Sequence, residues 1–405
     1  MTSEYLQTVE LDKAKKIVEE LFTNFYTTKI EKINIERAHG RVLAENVYSP
    51  IDLPPFDRAT RDGFAVKASD TFGANEENPV KLKCIENIEA GYIPKNTITE
   101  GHCARISTGA LIPSGSDAVV MVEFTEKKNN DILIYKSVYP GQYIAKKGSD
   151  IKKGELLLKK NTILSPDKIG ALSAVGIKEI PVYSKPKIAV ISTGNELIEL
   201  SENLKKGKIF DVNSYSIAAS IEECGAKAIN LGIVKDNYED IKNMILKGLK
   251  VADIVVISGG TSAGKGDIVA EVIDDMGEVI LHGIAMKPGK PTIIGKINSK
   301  IIIGLPGYPV SALIVFRVLI APILCKITKA FKLKEKIVRL PISQRFHSTR
   351  GRLEFALVSI ENNKAVPILK DSGAIASLAM SDGYIEIPKN VEIIEKNEKV
   401  EVKIF

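Results

Sequence analysis

Short strand-like runs alternate with helical patterns between residues 185 and 332, and this alternation constrains the fold more than any other feature of the chain. Runs rich in β-branched residues are K-I-A-V-I-S, K-A-I-N-L-G-I-V, D-I-V-V-I-S and K-I-I-I. Helical periodicity is seen in S-Y-S-I-A-A-S-I-E-E-C-G, Y-E-D-I-K-N-M-I-L-K-G-L and D-I-V-A-E-V-I-D-D-M. Parallel strands need long crossover connections, which are usually helices. The alternation therefore predicts an α/β domain with a parallel sheet covered by helices.

The flanking segments predict further domains, as expected for a chain of 405 residues that is 44% hydrophobic. Residues 1–184 open with a helical pattern, L-D-K-A-K-K-I-V-E-E-L-F, and continue into turn-rich, strand-like sequence from about residue 80 to residue 160. Residues 333–405 contain short strands separated by turns, such as R-L-E-F-A-L-V-S-I and K-V-E-V-K-I-F. This last pattern predicts a small β-barrel or a sandwich.

Several classes of protein are not expected from the composition. The cysteines are far apart and form no C-x-x-C pair, which argues against a zinc ribbon and a disulfide framework: they are Cys84, Cys103, Cys224 and Cys325. Four scattered histidines form no H-E-x-x-H motif. The start lacks a basic and apolar leader, and we find no apolar run of transmembrane length, so we expect a cytoplasmic protein without a membrane partner. A net charge of +6 without basic and aromatic clusters does not predict nucleic-acid binding.

Polar residues follow the predicted strands of the α/β domain. Glu196 and Asp236 each follow one strand, Asp267 ends the stretch S-G-G-T-S-A-G-K-G-D, and Gly307 and Ser311 lie in G-L-P-G-Y-P-V-S before a long apolar helix. Ligands bind at the carboxyl ends of parallel strands, so we expect these residues to line one crevice. Three carboxylates in one crevice repel each other unless a cation joins them, and oxygen ligands suit Mg²⁺.

Each of these residues also has an ordinary structural interpretation. Asp236 and Asp267 could be helix caps, and Glu196 could be a solvated loop residue. Gly304 and Gly307 could serve only the strand-to-helix turn, although backbone N–H groups at a helix start also suit an anion.

Residues 258–267 partly match a phosphate-binding P-loop. Gly259, Gly264 and Lys265 have the G-x-x-x-x-G-K spacing, but Gly266 stands where Ser or Thr would bind Mg²⁺. We therefore expect Gly259 and Gly260 to let the backbone approach a phosphate while Asp267 supplies the metal ligand. An ATPase loop remains the alternative.

Basic residues provide a candidate anion site. Lys287 and Lys290 flank a Pro-Gly turn in M-K-P-G-K-P, where the prolines restrict the backbone, although an exposed surface turn would have the same pattern. Arg352 in R-G-R and Ser372 in D-S-G could add a guanidinium and a hydroxyl group.

Eight motifs occur in order along the whole chain. They are L-P-P-F-D-R-A-T-R-D-G-F-A-V, T-G-A-L-I-P-S-G-S-D-A-V-V-M-V-E, G-S-D-I, S-T-G-N-E-L, S-G-G-T-S-A-G-K-G-D, M-K-P-G-K-P, G-L-P-G-Y-P-V-S-A and G-R-L-E-F. Together they resemble the MoeA-type molybdopterin molybdenumtransferase family, which includes the E domain of gephyrin. The resemblance implies an N-terminal α+β domain (1–184) with an inserted β-rich lobe (about 50–140), a central α/β molybdopterin-binding domain (185–332) and a small C-terminal β-barrel (333–405).

The resemblance also implies an activity in molybdenum cofactor biosynthesis. Members insert molybdate, or tungstate, into adenylylated molybdopterin with Mg²⁺-dependent release of AMP. They are elongated homodimers whose site is shared between subunits, and a molybdopterin adenylyltransferase is the expected partner. A non-catalytic scaffold that retains the fold is the first alternative, and a nucleotide-processing enzyme that shares only the α/β domain is the second.

Roles are implied for residues that match the family motifs. Glu196 and Asp267 match acidic metal positions, and Asp236 matches a further acidic position. Matches to positions for molybdate or substrate anions are Lys287, Lys290, Arg352 and Ser372, and matches in the inserted lobe are Asp62, Thr108 and Asp150. The chain departs from the usual motifs at Arg58, Arg61, Lys265-Gly266 and Tyr308.

Overall fold

The computed structural model describes residues 8–129, 131–261, 267–329, 336–371 and 373–405. The chain folds into two compact units. Unit 1 consists of Met1–Glu31, Gly40–Val42 and Val182–Phe405, and unit 2 consists of Lys32–His39 and Leu43–Pro181. The three predicted domain ranges divide the chain differently, because unit 1 joins the N-terminal helix to the later segments, and their boundaries stay predictions.

The predicted helical patterns form helices, and the structure adds two that were not predicted. The helices are α1 (Leu11–Phe25), α2 (Pro166–Ala174), α3 (Asn213–Glu223), α4 (Tyr238–Val251), α5 (Ile268–Met276), α6 (Pro309–Val315), α7 (Ala321–Thr328) and α8 (Ile375–Met380). The two additional helices are α2 and α8. A π-helical turn, Phe316–Ile320, joins α6 to α7. Pro322 follows this turn, and a proline lacks the N–H that an unbroken helix would need there.

Unit 2 contains most of the strands in the first part of the chain. These strands are β1 (Ile30–Asn34), β2 (Val47–Tyr48), β3 (Arg58–Ala59), β4 (Gly63–Val66), β5 (Val80–Ile88), β6 (His102–Ile106), β7 (Ala118–Met121), β8 (Thr125–Lys128), β9 (Asp131–Ile134), β10 (Ile144–Ala145), β11 (Leu156–Leu158) and β12 (Glu179–Tyr183). The main sheet has the order β7-β4-β6-β5-β9-β8. Phe64 and Ala65 belong to separate apolar clusters because successive residues of a strand face opposite sides.

The central part of unit 1 is the predicted α/β fold. Its strands are β13 (Lys187–Thr193), β14 (Leu197–Ile198), β15 (Ile209–Phe210), β16 (Lys227–Val234), β17 (Ile254–Ser258), β18 (Glu278–His282), β19 (Met286–Lys287), β20 (Ile293–Ile297) and β21 (Lys300–Leu305). The sheet order is β16-β13-β17-β21-β20-β18. The first four strands are parallel, and β20 is antiparallel to both β21 and β18. β18 therefore ends at the same sheet edge as the four parallel strands.

Helices cover both faces of this sheet. Ile188 and Val190 face a core that includes buried side chains of α1, α3, α6 and α7, whereas Ala189 and Ile191 face one that includes those of α4 and α5. α1 contributes Leu11, Ala14, Val18, Leu21 and Phe22 to the first core, which is the spacing of one helical face.

The C-terminal part of unit 1 is a closed barrel. Its strands are β22 (Ile337–Pro341), β23 (Phe346–His347), β24 (Leu353–Glu361), β25 (Lys364–Pro367), β26 (Gly383–Ile387), β27 (Ile393–Ile394) and β28 (Lys399–Ile404). The order is β19-β24-β26-β28-β22, and β25 pairs with β24. A bridge between Ile342 and Ala365 joins the chain after β22 to β25 and closes the sheet. This confirms the barrel rather than the sandwich.

The helical segment Pro309–Thr328 corrects one expectation. It has 20 residues and a mean hydropathy of 2.2, so an apolar run of transmembrane length does exist. However, 72% of it is buried inside the structure, against the central sheet. Its apolar character is that of a core helix.

We predict that Phe22→Ala destabilises unit 1 by about 3–5 kcal/mol, because it empties a site in which the ring is 1% exposed. Lys16→Ala, on the exposed side of the same helix, should change the free energy of unfolding by less than about 0.5 kcal/mol. Chemical unfolding followed by circular dichroism measures both variants. Equal stability of the two would contradict the packing of α1 in this core.

Candidate functional site at the carboxyl edge of the central sheet

Asp236 follows β16, and Thr193 and Asn195 at the end of the neighbouring strand β13 hold it in place. The Thr193 hydroxyl donates to Asp236 Oδ1 over 2.5 Å, and the Asp236 N–H donates to Asn195 Oδ1 over 3.3 Å. The cap of α4 is the next residue, Asn237, whose side chain accepts from the N–H of Asp240. The helix-cap interpretation of Asp236 was therefore wrong, and its carboxylate lies at the sheet edge.

Glu196 lies in the same turn and is exposed. A Cβ added to Gly194 would lie 2.9 Å from both carboxylate oxygens of Glu196, so this side chain folds back over the glycine. The Glu196 carbonyl accepts from the N–H of Ile209, which fixes the backbone at this position. Glu196 therefore lies in the turn after β13, and Asp236, which follows β16, lies against the same turn.

Glycines allow the turns at this edge to pack backbone against backbone. Gly259 has a φ of +102°, and a Cβ there would lie 2.2 Å from the carbonyl oxygen of Thr193. Gly260 has a φ of +62°, and Gly307 lies against Gly259. The Gly259 N–H donates to Leu305 O, so this amide serves the turn itself. The loop residues Gly264, Lys265 and Gly266 lie outside the described residues.

Asp267 is held by two protein contacts. It is the N-cap of α5 and accepts from the Ala270 N–H over 3.4 Å, and its Oδ2 lies 2.6 Å from Nε2 of His282. The sequence did not single out His282, although it is the polar end of the strand-like run E-V-I-L-H. Asp267 is therefore a helix cap, and its second oxygen has an imidazole partner.

The three carboxylates do not gather in one cluster. Asp236 follows β16 at one margin of the sheet, whereas the partner of Asp267 ends β18 at the other margin. Five strand spacings separate β16 from β18, on the order of 24 Å. Over the described ranges, no group of three or more His, Cys, Asp or Glu side chains is placed to hold a metal ion. The expectation that all three converge is not met.

Two further polar residues tie the strand ends together. Asp211 is 2% exposed and accepts from the hydroxyl of Ser192, and Asn213 donates to the hydroxyl of Ser258 and the carbonyl of Gly307. Asn213 Oδ1 is buried and has no hydrogen-bond partner in the part of the chain that the structure describes. The only local signal in the sequence is the D-V-N at the start of α3.

Ser311 is also buried at this edge, at 4% exposure in the first turn of α6. Tyr308, a departure from the family motif, caps the same helix but is 66% exposed. The two residues therefore differ in their exposure: Ser311 packs within unit 1, whereas the aromatic ring of Tyr308 is exposed to solvent.

The predicted basic residues differ in their charge balance. Lys287 Nζ lies 3.0 Å from Glu354 Oε1 and donates to the hydroxyl of Thr349. Burial favours a raised pKa for Glu354, but hydrogen bonds from the Thr349 N–H, Lys287 and Ser348 outweigh it and hold the pKa below its ordinary value. The charge of the exposed Lys287 is therefore largely balanced by Glu354.

Lys290 and Arg352 are different. Neither side chain has a hydrogen bond or an ion pair with another described residue, and Arg352 is exposed. Ser372 lies outside the described residues. The structure therefore leaves Lys290 and Arg352 as the predicted cations with charge available for an anion.

Asp62 and Thr108 meet in unit 2. The Thr108 N–H donates to Asp62 Oδ1 over 2.6 Å, and the hydrogen bonds from Thr108 lower the pKa of Asp62. Asp150 is held elsewhere, with its N–H donating to Leu53 O, and has no hydrogen bond to Asp62 or Thr108 among the described contacts.

Comparisons with known proteins cover nearly the whole chain. Residues 9–176 match the family described as the MoeA N-terminal region (domain I and II), residues 189–326 a "probable molybdopterin binding domain" and residues 339–405 the MoeA C-terminal region (domain IV).

Individual relatives agree with these matches. A Methanocaldococcus jannaschii protein named for molybdopterin biosynthesis is 38% identical and covers 98% of both chains. A molybdopterin molybdenumtransferase of Nostoc is 34% identical over 90% of this chain and 88% of its own. The crystal structure of a molybdopterin biosynthesis MoeA protein from Pyrococcus horikoshii is 46% identical, with a TM-score of 0.84 over 98% of this chain and 99% of that chain.

We predict that Gly259→Ala disrupts this edge whereas Gly307→Ala does not. The first adds a Cβ 2.2 Å from Thr193 O at a positive φ, which should cost at least about 1–3 kcal/mol of stability. The second adds a Cβ at an ordinary 3.6 Å from Gly259 Cα. Thermal unfolding of both variants tests this, and equal melting temperatures would disprove the close approach.

Proposed function

Because this chain belongs to the MoeA family of molybdopterin molybdenumtransferases, we propose that it inserts molybdate into adenylylated molybdopterin and releases AMP. Membership of the family gives the general activity: the chain is a transferase of molybdenum cofactor biosynthesis. We propose in addition that its substrate is adenylylated and that AMP is a product.

One observation supports this reaction best. Unit 1 contains both the glycine turns at the carboxyl edge of the sheet and two cations, Lys290 and Arg352, that have no carboxylate partner among the described residues. The glycine packing at Gly259 and Gly307 holds the strand ends close together, and such a rigid edge suits a large phosphate-bearing ligand. Lys290 and Arg352 suit a dianionic oxyanion such as molybdate, since their charges are not balanced by described carboxylates.

Mg²⁺ fits the donors at this edge by their chemistry. It is usually held by one or two carboxylates together with waters and substrate phosphates, so a preassembled cluster of three is not required. Glu196 is exposed, and a carboxylate oxygen has two lone-pair directions, so the contact of Asp267 with His282 leaves room for a cation. We propose Asp267 as its protein ligand. The expected second ligand, Glu196, follows β13, four strands away from the His282 partner of Asp267, so waters and substrate phosphates would complete the coordination. Bound there, the ion would supply positive charge to the phosphoanhydride.

The protein's own residues would bind and orient the substrates. Asn213 Oδ1 is a buried acceptor without a described partner, which suits an N–H group of the pterin. Lys290 and Arg352 would hold the oxyanion by charge-assisted hydrogen bonds, and Lys287 would be positioned by Glu354. Asp236, which is fixed by the hydrogen bond from Thr193, would contribute a negative charge at the carboxyl edge of the sheet.

A scaffold protein that has lost catalysis remains the alternative function. Loss of the acidic and basic site residues would favour it, but all of them are present in this chain. We further propose a cytoplasmic homodimer that receives its substrate from a molybdopterin adenylyltransferase. Asp62, Thr108 and Asp150 would then complete the site of the other subunit.

We predict that Asp267→Asn lowers the rate of AMP release about hundredfold or more. Loss of a metal ligand would remove several kcal/mol of transition-state stabilisation. Asn can still cap α5, so the fold should be retained. The assay follows AMP from adenylylated molybdopterin with Mg²⁺ and either molybdate or tungstate. Asp274→Asn is the matched control, since Asp274 is exposed on the same helix.

The outcomes separate the two interpretations of Asp267. A normal rate in Asp267→Asn would leave it a helix cap only. Absence of AMP from the wild-type protein with both oxyanions would instead favour the scaffold.

We predict that Asp62→Asn and Asp267→Asn proteins, each inactive alone, regain activity when mixed. If each site uses Asp62 of one subunit and Asp267 of the other, a mixed dimer has one intact site, so up to about half of its sites are active. Subunit exchange is verified with differently tagged chains. Mixed dimers that form and stay inactive would rule out a shared site.

A further inference from the structure

The four cysteines, although far apart in sequence, form two pairs in the folded chain. Cys84 and Cys103 are register partners on neighbouring strands of unit 2, and the backbones of Cys224 and Cys325 meet at the Thr328 hydroxyl in unit 1. All four are free thiols. The sequence argued against a disulfide framework on spacing alone, and spacing cannot reveal pairs made by tertiary contacts.

The first pair has the backbone geometry of a disulfide. β5 and β6 are parallel, and Cys84 is the register partner of Cys103. Neighbouring strands are about 4.8 Å apart, which lies within the Cα separation of about 4.4–6.8 Å that a disulfide spans. Both side chains also belong to one apolar cluster, so they point to the same face of the sheet. The register shifts just after Cys84, which gives this strand local freedom to adjust.

The two thiols of this pair have unequal access and acidity. Cys84 is partly exposed, whereas Cys103 is fully buried. Interaction with the neighbouring Cys103 thiol, helped by the N–H groups of Arg105 and Glu86, lowers the pKa of Cys84 to about 6. Interaction with Cys84, together with burial, raises the pKa of Cys103. Cys84, the sulfur that reagents can reach, is therefore the more acidic thiol of the pair.

The second pair is an internal control. Cys224 is 1% exposed and Cys325 is 5% exposed, within the core between α3 and α7. The Thr328 hydroxyl donates to the carbonyls of both cysteines, so their backbones are close. The two cysteines of this pair are close together, but they are too deeply buried for a reagent in solution to reach them.

We propose that Cys84 and Cys103 form a redox modification site that closes to a disulfide by exchange with a low-molecular-weight disulfide such as oxidised glutathione. The Cys84 thiolate attacks one sulfur of the reagent, forms a mixed disulfide and releases one thiolate. Cys103 then loses its proton to solvent and attacks Cys84 Sγ, which releases the second thiolate. Two electrons pass from the two protein sulfurs to the reagent, which is reduced to two thiols.

The position of this site links it to the predicted lobe residues. Cys103 lies in β6, and the chain leaves that strand through Ser107, whose N–H binds Ile88 O of β5, to reach Thr108. A covalent bond between β5 and β6 would therefore act on the two strands that position the Thr108 N–H. This consequence does not depend on the proposed transferase reaction.

The test uses the full-length protein, reduced and then freed of reductant. It is incubated with oxidised glutathione at neutral pH, its remaining thiols are alkylated without unfolding and after unfolding, and its peptides are mapped by mass spectrometry. We expect a linked peptide that contains Cys84 and Cys103, while Cys224 and Cys325 are alkylated only after unfolding. Cys103→Ala should stop at one glutathione adduct on Cys84, and Cys84→Ala should leave Cys103 reduced.

The opposite results are equally clear. A wild-type protein that keeps glutathione on Cys84 without the linked peptide, or whose Cys84 reacts no faster than Cys224, would overturn the proposal. Because the peptide map of the wild-type protein decides between these outcomes, a variant that fails to fold would not affect the test. The Cys84–Cys103 disulfide should also form in the Asp267→Asn protein. That result would show that the redox site can be tested independently of the proposed transferase activity.

Discussion

Burial of the central sheet on both faces is the constraint on which the rest of unit 1 depends. Ile188 and Val190 point into one apolar core and Ala189 and Ile191 into the other, so helices must cover both sides. A sheet covered in this way is open to ligands only at the ends of its strands. The polar residues of the candidate site therefore collect at the carboxyl edge.

Close backbone packing gives this edge its rigidity. Gly259 lies against Thr193 O, and Asn213 joins Ser258 to the turn at Gly307. These contacts connect the ends of β13, β17 and β21 through backbone packing and one buried side chain. Such support holds a site in its working geometry before a ligand arrives, which reduces the entropy lost on binding.

The charged residues divide into paired and unpaired groups. Lys287 is balanced by Glu354 and Asp267 contacts His282, so their side chains are held in fixed positions. Lys290 and Arg352 have no such partner among the described residues, and Glu196 is exposed. Paired groups define the shape of the site, whereas unpaired groups keep the electrostatic field that acts on a ligand.

Local patterns in the sequence determined the elements of the fold, and the ordered motifs determined the family. The run Y-E-D-I-K-N-M-I-L-K-G-L became α4 and K-A-I-N-L-G-I-V became β16, because the periodicity of a buried face is a property of neighbouring residues. Only the tertiary structure decided which distant residues meet. It placed His282 beside Asp267, gave the cap of α4 to Asn237 and set Cys84 opposite Cys103. Sheet order and register depend on packing between segments far apart in the chain, and no local pattern contains that information.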